Sequence, residues 1–136
     1  MTQEIKHVIL DWLGELRFAG GEPAGPKSFI DADNAAAPGP MLTLLLAAAS
    51  CTASDVLIVL KKKRVTVTTL SLDVAGTRRE QEPRRYVAIH FTYRLAGDGL
   101  DEAKARHAID LSIEKYCSVL HSLAPDIAVT YDLQLG

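Results

Sequence analysis

One stretch limits every fold open to this chain. Residues 41–60 run Met-Leu-Thr-Leu-Leu-Leu-Ala-Ala-Ala-Ser-Cys-Thr-Ala-Ser-Asp-Val-Leu-Ile-Val-Leu, about 20 mostly apolar positions, and Lys61-Lys62-Lys63-Arg64 follows. The length and the positive flank match a membrane span. Thr43, Ser50, Thr52, Ser54 and Asp55 interrupt the run, and an aspartate near mid-span costs about 2.5–3.5 kcal/mol on insertion. The reading adopted is a helix over about 41–62 buried in a soluble fold, because the strands around it in sequence need it as their core. Pro40 is placed for the first helical turn, where a missing N–H costs nothing. The cations at 61–64 complement the C-terminal dipole. The helix is apolar nearly all round and is expected to be buried on most sides. A chain of 136 residues does not easily cover such a helix alone, so a homodimer that buries it is expected.

The flanking sequence reads as strands and one further helix. Residues 5–19 are extended, with Leu13-Gly14-Glu15 turning the chain into a hairpin. Gly20 to Pro26 is a breaker-rich loop, and Ser28–Ile30 is a short strand. Over 65–75 the apolar parity switches near Thr68-Thr69, which predicts a strand with a bulge or a change of covered face. Residues 86–95 alternate cleanly, with Val87, Ile89, Phe91, Tyr93 and Leu95 on one face. A helix is expected from about Leu100-Asp101 to Leu123, since Ile109, Ile113, Tyr116, Cys117 and Leu120 recur on one helical face. Ile127–Leu135 is a final strand. The order of β-hairpin, short β, α, β, β, α, β argues an α+β fold, and the length argues one domain over residues 1–136.

Charge and cysteine usage exclude several classes. A net charge of −2 with no basic stripe gives no footprint for nucleic acid. Two cysteines are too few for a secreted disulfide scaffold. The N-terminus is polar and charged, unlike a secretory signal, and a cytoplasmic location is expected. Cys51 and Cys117 stand 66 positions apart, so they form neither a CxxC motif nor any metal-ligand spacing. There is no Gly-rich phosphate loop or hydrolase nucleophile elbow. His121 follows Cys117 by four positions and reads either as its partner or as a surface histidine near a helix end. His90 reads as a polar strand residue.

Each cysteine lies on an apolar helical face, which suits two small core residues. It also suits a redox pair. In that chemistry a thiolate attacks a peroxide O–O bond and becomes a sulfenic acid, a second thiol condenses with it, and a reductant resets the disulfide. A cation or helix N-terminus normally lowers the attacking thiol's pKa.

Pro-Gly-Pro-Met-Leu-Thr-Leu-Leu-Leu-Ala-Ala-Ala-Ser-Cys-Thr-Ala-Ser-Asp-Val at 38–56 resembles the central-helix signature of the osmotically inducible protein C (OsmC/Ohr) family. Ile-Glu-Lys-Tyr-Cys-Ser-Val at 113–119 resembles its second cysteine motif, in the branch that carries Glu-Lys-Tyr-Cys. The charged connection Arg78–Arg84 and the strand with His90 resemble the stretch between them. The likeness covers nearly the whole chain. It implies an intertwined α+β homodimer with an N-terminal β-hairpin or sheet, two main helices and sites at the subunit interface. It implies Cys51 as peroxidatic and Cys117 as resolving, with organic hydroperoxides as substrates. The reductant implied is a small thiol or dithiol, or a lipoylated protein, with no bound cofactor or metal. The family's peroxidases also carry a glutamate nine or ten residues before the first cysteine, paired with an arginine. Those positions are Leu42 and Met41 here. Arg17, the only arginine before the helix, reads as the thiolate's partner or as a solvent-facing strand residue. The missing carboxylate keeps a second function open, a non-catalytic member that binds a small hydrophobic ligand or senses redox state.

Overall fold

The computed structural model describes residues 2–136. The chain divides into two compact units, Met1–Leu44 and Leu45–Gly136.

The first unit holds an antiparallel sheet of β1 (Ile9–Gly14), β2 (Arg17–Gly21) and β3 (Ser28–Asp31), in that order. Gly14 and Glu15 take positive φ values of 110° and 51° at the hairpin turn, and the Trp12 indole donates to the Glu15 carbonyl at 2.8 Å. Asp31 ends β3 and is buried. Its carboxylate accepts the backbone N–H groups of Asp33, Ala35 and Ala36. These bonds, that of Ala36 foremost, hold its pKa below the usual carboxylate value. The folded loop delivers the chain to the long helix α1 (Pro40–Lys62). Asn34 Oδ1 accepts the Gly39 N–H at 2.7 Å, and Thr43 Oγ1 donates to the Gly39 carbonyl at 2.8 Å.

In the second unit α1 ends at a Schellman-type stop. Arg64 takes φ 61°, the Val65 N–H bonds to the Leu60 carbonyl, and the Arg64 N–H bonds to the Lys61 carbonyl. Two long strands follow, β4 (Thr66–Arg78) and β5 (Tyr86–Asp98), paired antiparallel. The pairing register shifts between Val67 and Thr69, where the sequence parity switches. The last strand β6 (Ala128–Leu135) lies parallel to β5, which requires a crossover. Helix α2 (Glu102–Leu111) begins that crossover, with Asp101 accepting the Lys104 N–H at 2.8 Å as its N-cap. The core joins Val56 and Leu60 of α1, Ile89, Phe91, Tyr93 and Leu95 of β5, and Ile109 of α2. This α+β arrangement of two main helices and two small sheets is the class that the element order predicts.

One expectation needs correction. The second helical region is not continuous from 100 to 123. After α2 the chain makes a π-helical turn, Ser112–Tyr116, runs extended through Cys117, and re-enters a short helix α3 (Ser118–His121). A π turn inserts one residue into the helical phase, so Tyr116, placed inward by a period of 3.6, is exposed while Cys117 is buried. The long helix is only partly covered within the chain, in keeping with the expectation that 136 residues do not easily bury it alone. Only the stripe Leu45, Ala48, Thr52, Val56 and Leu60 is buried. Leu46, Leu57 and Ile58 stay exposed, and 22% of the most apolar 18-residue window is buried within the chain. By length and composition alone α1 could cross a membrane.

Gly76 marks a tight approach in β4. A Cβ there would lie 2.5 Å from Tyr86 Cε1 and 3.0 Å from Leu45 Cδ2. Gly76→Ala is expected to lower stability by about 1–3 kcal/mol through overpacking, measured as a reduced urea midpoint with an unchanged m-value.

Candidate functional site

Helix α1 places Cys51, Thr52 and Asp55 within two turns. Cys51 and Asp55 are four apart and therefore share a face. Cys117 arrives from the other end of the sequence, in the extended link between the π turn and α3 (φ −70°, ψ 97°). The two sulfurs and an Asp55 carboxylate oxygen all lie within 4.8 Å of one another. Both thiols are free, with Cys51 half-buried and Cys117 fully buried.

A file of hydroxyls leads to this group. Tyr93 Oη lies 2.7 Å from Thr52 Oγ1, Thr52 Oγ1 lies 2.8 Å from Ser112 Oγ, and Ser112 Oγ lies 2.9 Å from Asp55 Oδ2. A carboxylate accepts, and each hydroxyl has one hydrogen. Ser112 Oγ is the donor toward both Thr52 Oγ1 and Asp55 Oδ2, and Tyr93 and Thr52 share a bond that either hydroxyl can donate. Tyr93, Thr52 and Ser112 are each fully buried. Burial pushes the Tyr93 phenol up to about 12, so it keeps its proton.

Burial also pushes the Cys117 thiol up to about 11; the Leu120 amide opposes this, while Cys51 and the Asp55 charge add to it. Among the described residues no lysine, arginine or histidine forms an ion pair with Asp55. Beside Asp55 opens a cleft of about 460 Å³, walled by Ile58, Val59, Leu111 and Tyr116, with Lys62 contributing a cation.

The structure thus brings together the two cysteines that the sequence singled out, and leaves the other candidates elsewhere. His121 Nε2 donates to the Ile113 carbonyl at 3.1 Å. His90 bridges to Thr130 at 2.6 Å and Asp132 at 3.1 Å on β6, as a polar strand residue does. Arg17 is exposed in β2 and lies 3.7 Å from Glu15. Sequence reasoning missed Thr52, Asp55, Tyr93 and Ser112. Asp55 had a signal, its position four residues after Cys51. Tyr93 read simply as an apolar-face residue, and Ser112 had no signal, because the π turn that aims it is invisible to a helical period. The absence of metal-ligand spacing was equally uninformative, since the sulfur that completes the trio comes from 62 positions beyond Asp55.

Known proteins are similar to this chain in sequence or fold. A model of the OsmC-like protein family matches residues 32–132. Protein YhfA of Escherichia coli (strain K12) is 34% identical over 125 residues, covering 91% of this chain and 93% of YhfA. The crystal structure of a hypothetical protein from Aquifex aeolicus VF5 superposes with a TM-score of 0.88 at 31% identity, over 98% of each chain. The organic hydroperoxide resistance protein OhrB of Bacillus subtilis shares the fold, with a TM-score of 0.62 at 16% identity, over 96% of this chain and 98% of OhrB.

The unequal burial of the thiols predicts unequal reactivity. At about pH 8, iodoacetamide should modify Cys51 well before Cys117, and the Cys117 rate should rise toward a midpoint near 11. Peptide mass spectrometry over a pH series reads both; equal rates at the lower pH would contradict this assignment.

Proposed function

Because the chain belongs to the OsmC-like protein family, we propose that it is a thiol-dependent peroxidase that reduces organic hydroperoxides through Cys51 and Cys117. The observation that carries this reading is the approach of two free sulfurs to within 4.8 Å, one half-exposed and the other buried behind it. Cys51, as thiolate, attacks the outer peroxide oxygen. The O–O bond breaks, the alkoxide leaves and takes a proton from solvent to become the alcohol, and Cys51 becomes a sulfenic acid. Cys117 attacks that sulfur, hydroxide leaves as water, and a disulfide forms. Asp55 takes the Cys117 proton and passes it to the leaving hydroxide, a task set by a thiol that burial holds near 11. An external dithiol, a small molecule or a lipoylated protein, then reduces the disulfide by exchange. The reducing cytoplasm is the setting for such a cycle. The apolar cleft beside Asp55 suits a hydrophobic peroxide.

The same reading includes a homodimer. Leu46, Leu57 and Ile58 along α1 are exposed, as are Ile9, Leu10, Trp12 and Phe29 in the N-terminal sheet. Apolar surface of this kind marks an interface. Sedimentation equilibrium should return twice the 14.7 kDa chain mass; a monomer at micromolar concentration would rule the dimer out.

One feature favours a second reading. The family's glutamate is replaced by Leu42 or Met41, and no cation pairs with Asp55 among the described residues. A thiol without a cationic neighbour reacts slowly, and the cleft would then hold a small hydrophobic ligand. Cumene hydroperoxide consumption with a dithiol reductant separates the two. On the peroxidase reading Cys51→Ser loses at least about 100-fold of the turnover, Cys117→Ser accumulates a sulfenic acid that dimedone traps, and Asp55→Asn slows turnover by about 100-fold. Slow, unsaturable consumption that is equal in wild type and Cys51→Ser would give the binding reading its support.

A further inference from the structure

The geometry points to a zinc site in the reduced protein, with Cys51, Asp55 and Cys117 as its three protein ligands. Such a site does not depend on peroxide turnover. It rests on donor chemistry, spacing and the support around the carboxylate.

Two sulfurs and one carboxylate oxygen form a donor set for a thiophilic divalent cation, and not for magnesium or calcium, which take oxygen alone. Zinc–sulfur bonds of about 2.3 Å at tetrahedral angles place neighbouring sulfurs about 3.8 Å apart. The three donor atoms already lie within 4.8 Å of one another. Closure therefore needs side-chain adjustments of about 1 Å. Asp55 has one oxygen engaged by Ser112 and the other unassigned to any hydrogen bond among the described residues. Ser112 is in turn fixed by Thr52 and Tyr93. Such outer support orients ligating carboxylates. Two thiolates and a carboxylate bring three negative charges together, and no neighbouring cation pairs with Asp55 among the described residues. A divalent ion offsets most of that charge. Binding releases the two thiol protons to solvent and leaves a fourth coordination position open. A disulfide between the same sulfurs removes two ligands, so the metal and the disulfide are mutually exclusive.

The test uses the full-length protein, fully reduced. Zinc is titrated in competition with a chromophoric chelator, and cobalt is titrated separately to read sulfur-to-cobalt charge-transfer absorption. The expected result is one ion per chain, with the absorption of two thiolates. Asp55→Asn and Cys117→Ser, both close in shape to the native residues, should each weaken zinc at least about tenfold, and Ser112→Ala about tenfold. Oxidised protein should not bind. Less than one equivalent bound by reduced wild type, or undiminished affinity in both ligand variants, overturns the site. Should a variant fail to fold, zinc protection of Cys117 from alkylation in wild type decides: a slowed rate supports the site and an unchanged rate overturns it.

Discussion

The hydrogen-bonded file from Tyr93 through Thr52 and Ser112 to Asp55 ties three elements to one point. Tyr93 comes from the central strand β5, Thr52 and Asp55 from α1, and Ser112 from the start of the π turn. All three hydroxyls are fully buried, where an unpaired polar group costs about 1–3 kcal/mol. Ser112 is the joint of the file, a donor within reach of both Thr52 and the Asp55 carboxylate. That places Asp55 against Cys51 on its own helix and sets the π turn so that Cys117 follows into the core. The site is thus positioned by the need to satisfy buried hydroxyls as much as by apolar packing.

The electrostatics of the thiol group follow from that support. No arginine or lysine pairs with Asp55 among the described residues, and burial together with the Asp55 and Cys51 neighbours holds Cys117 as a thiol. The glutamate expected from the family's peroxidases is not at Leu42 or Met41. A carboxylate is nonetheless present at Asp55, beside both sulfurs. Its effect is opposite to that of a cation: it disfavours free thiolate and favours states in which the proton is transferred or replaced by a metal.

Helix α1 serves two surfaces. The stripe Leu45, Ala48, Thr52, Val56 and Leu60 is buried within the chain. Leu46, Leu57 and Ile58 point away from it and are uncovered. The helix is apolar all round because both surfaces are apolar, which is why composition alone matches a membrane span. Hydropathy records that water is avoided on each side, but not what replaces it.

Much of the architecture was legible in the residues themselves. The limits of α1, the parity switch near Thr68, the alternation of β5 and the two cysteine motifs are local patterns, and local sterics and burial write them into the chain. The π turn escaped because a helical period cannot report one inserted residue, and the Cys117 environment went with it. Thr52, Ser112 and Tyr93 looked like ordinary helix and strand residues, since a hydroxyl has no signature until its partner is known. Residue identity and order dictate which side chains can pack, turn and ionise. Only the tertiary structure decided that Cys51, Asp55 and Cys117 meet, because their contact spans 66 positions and depends on how β5, α1 and the crossover close on one another.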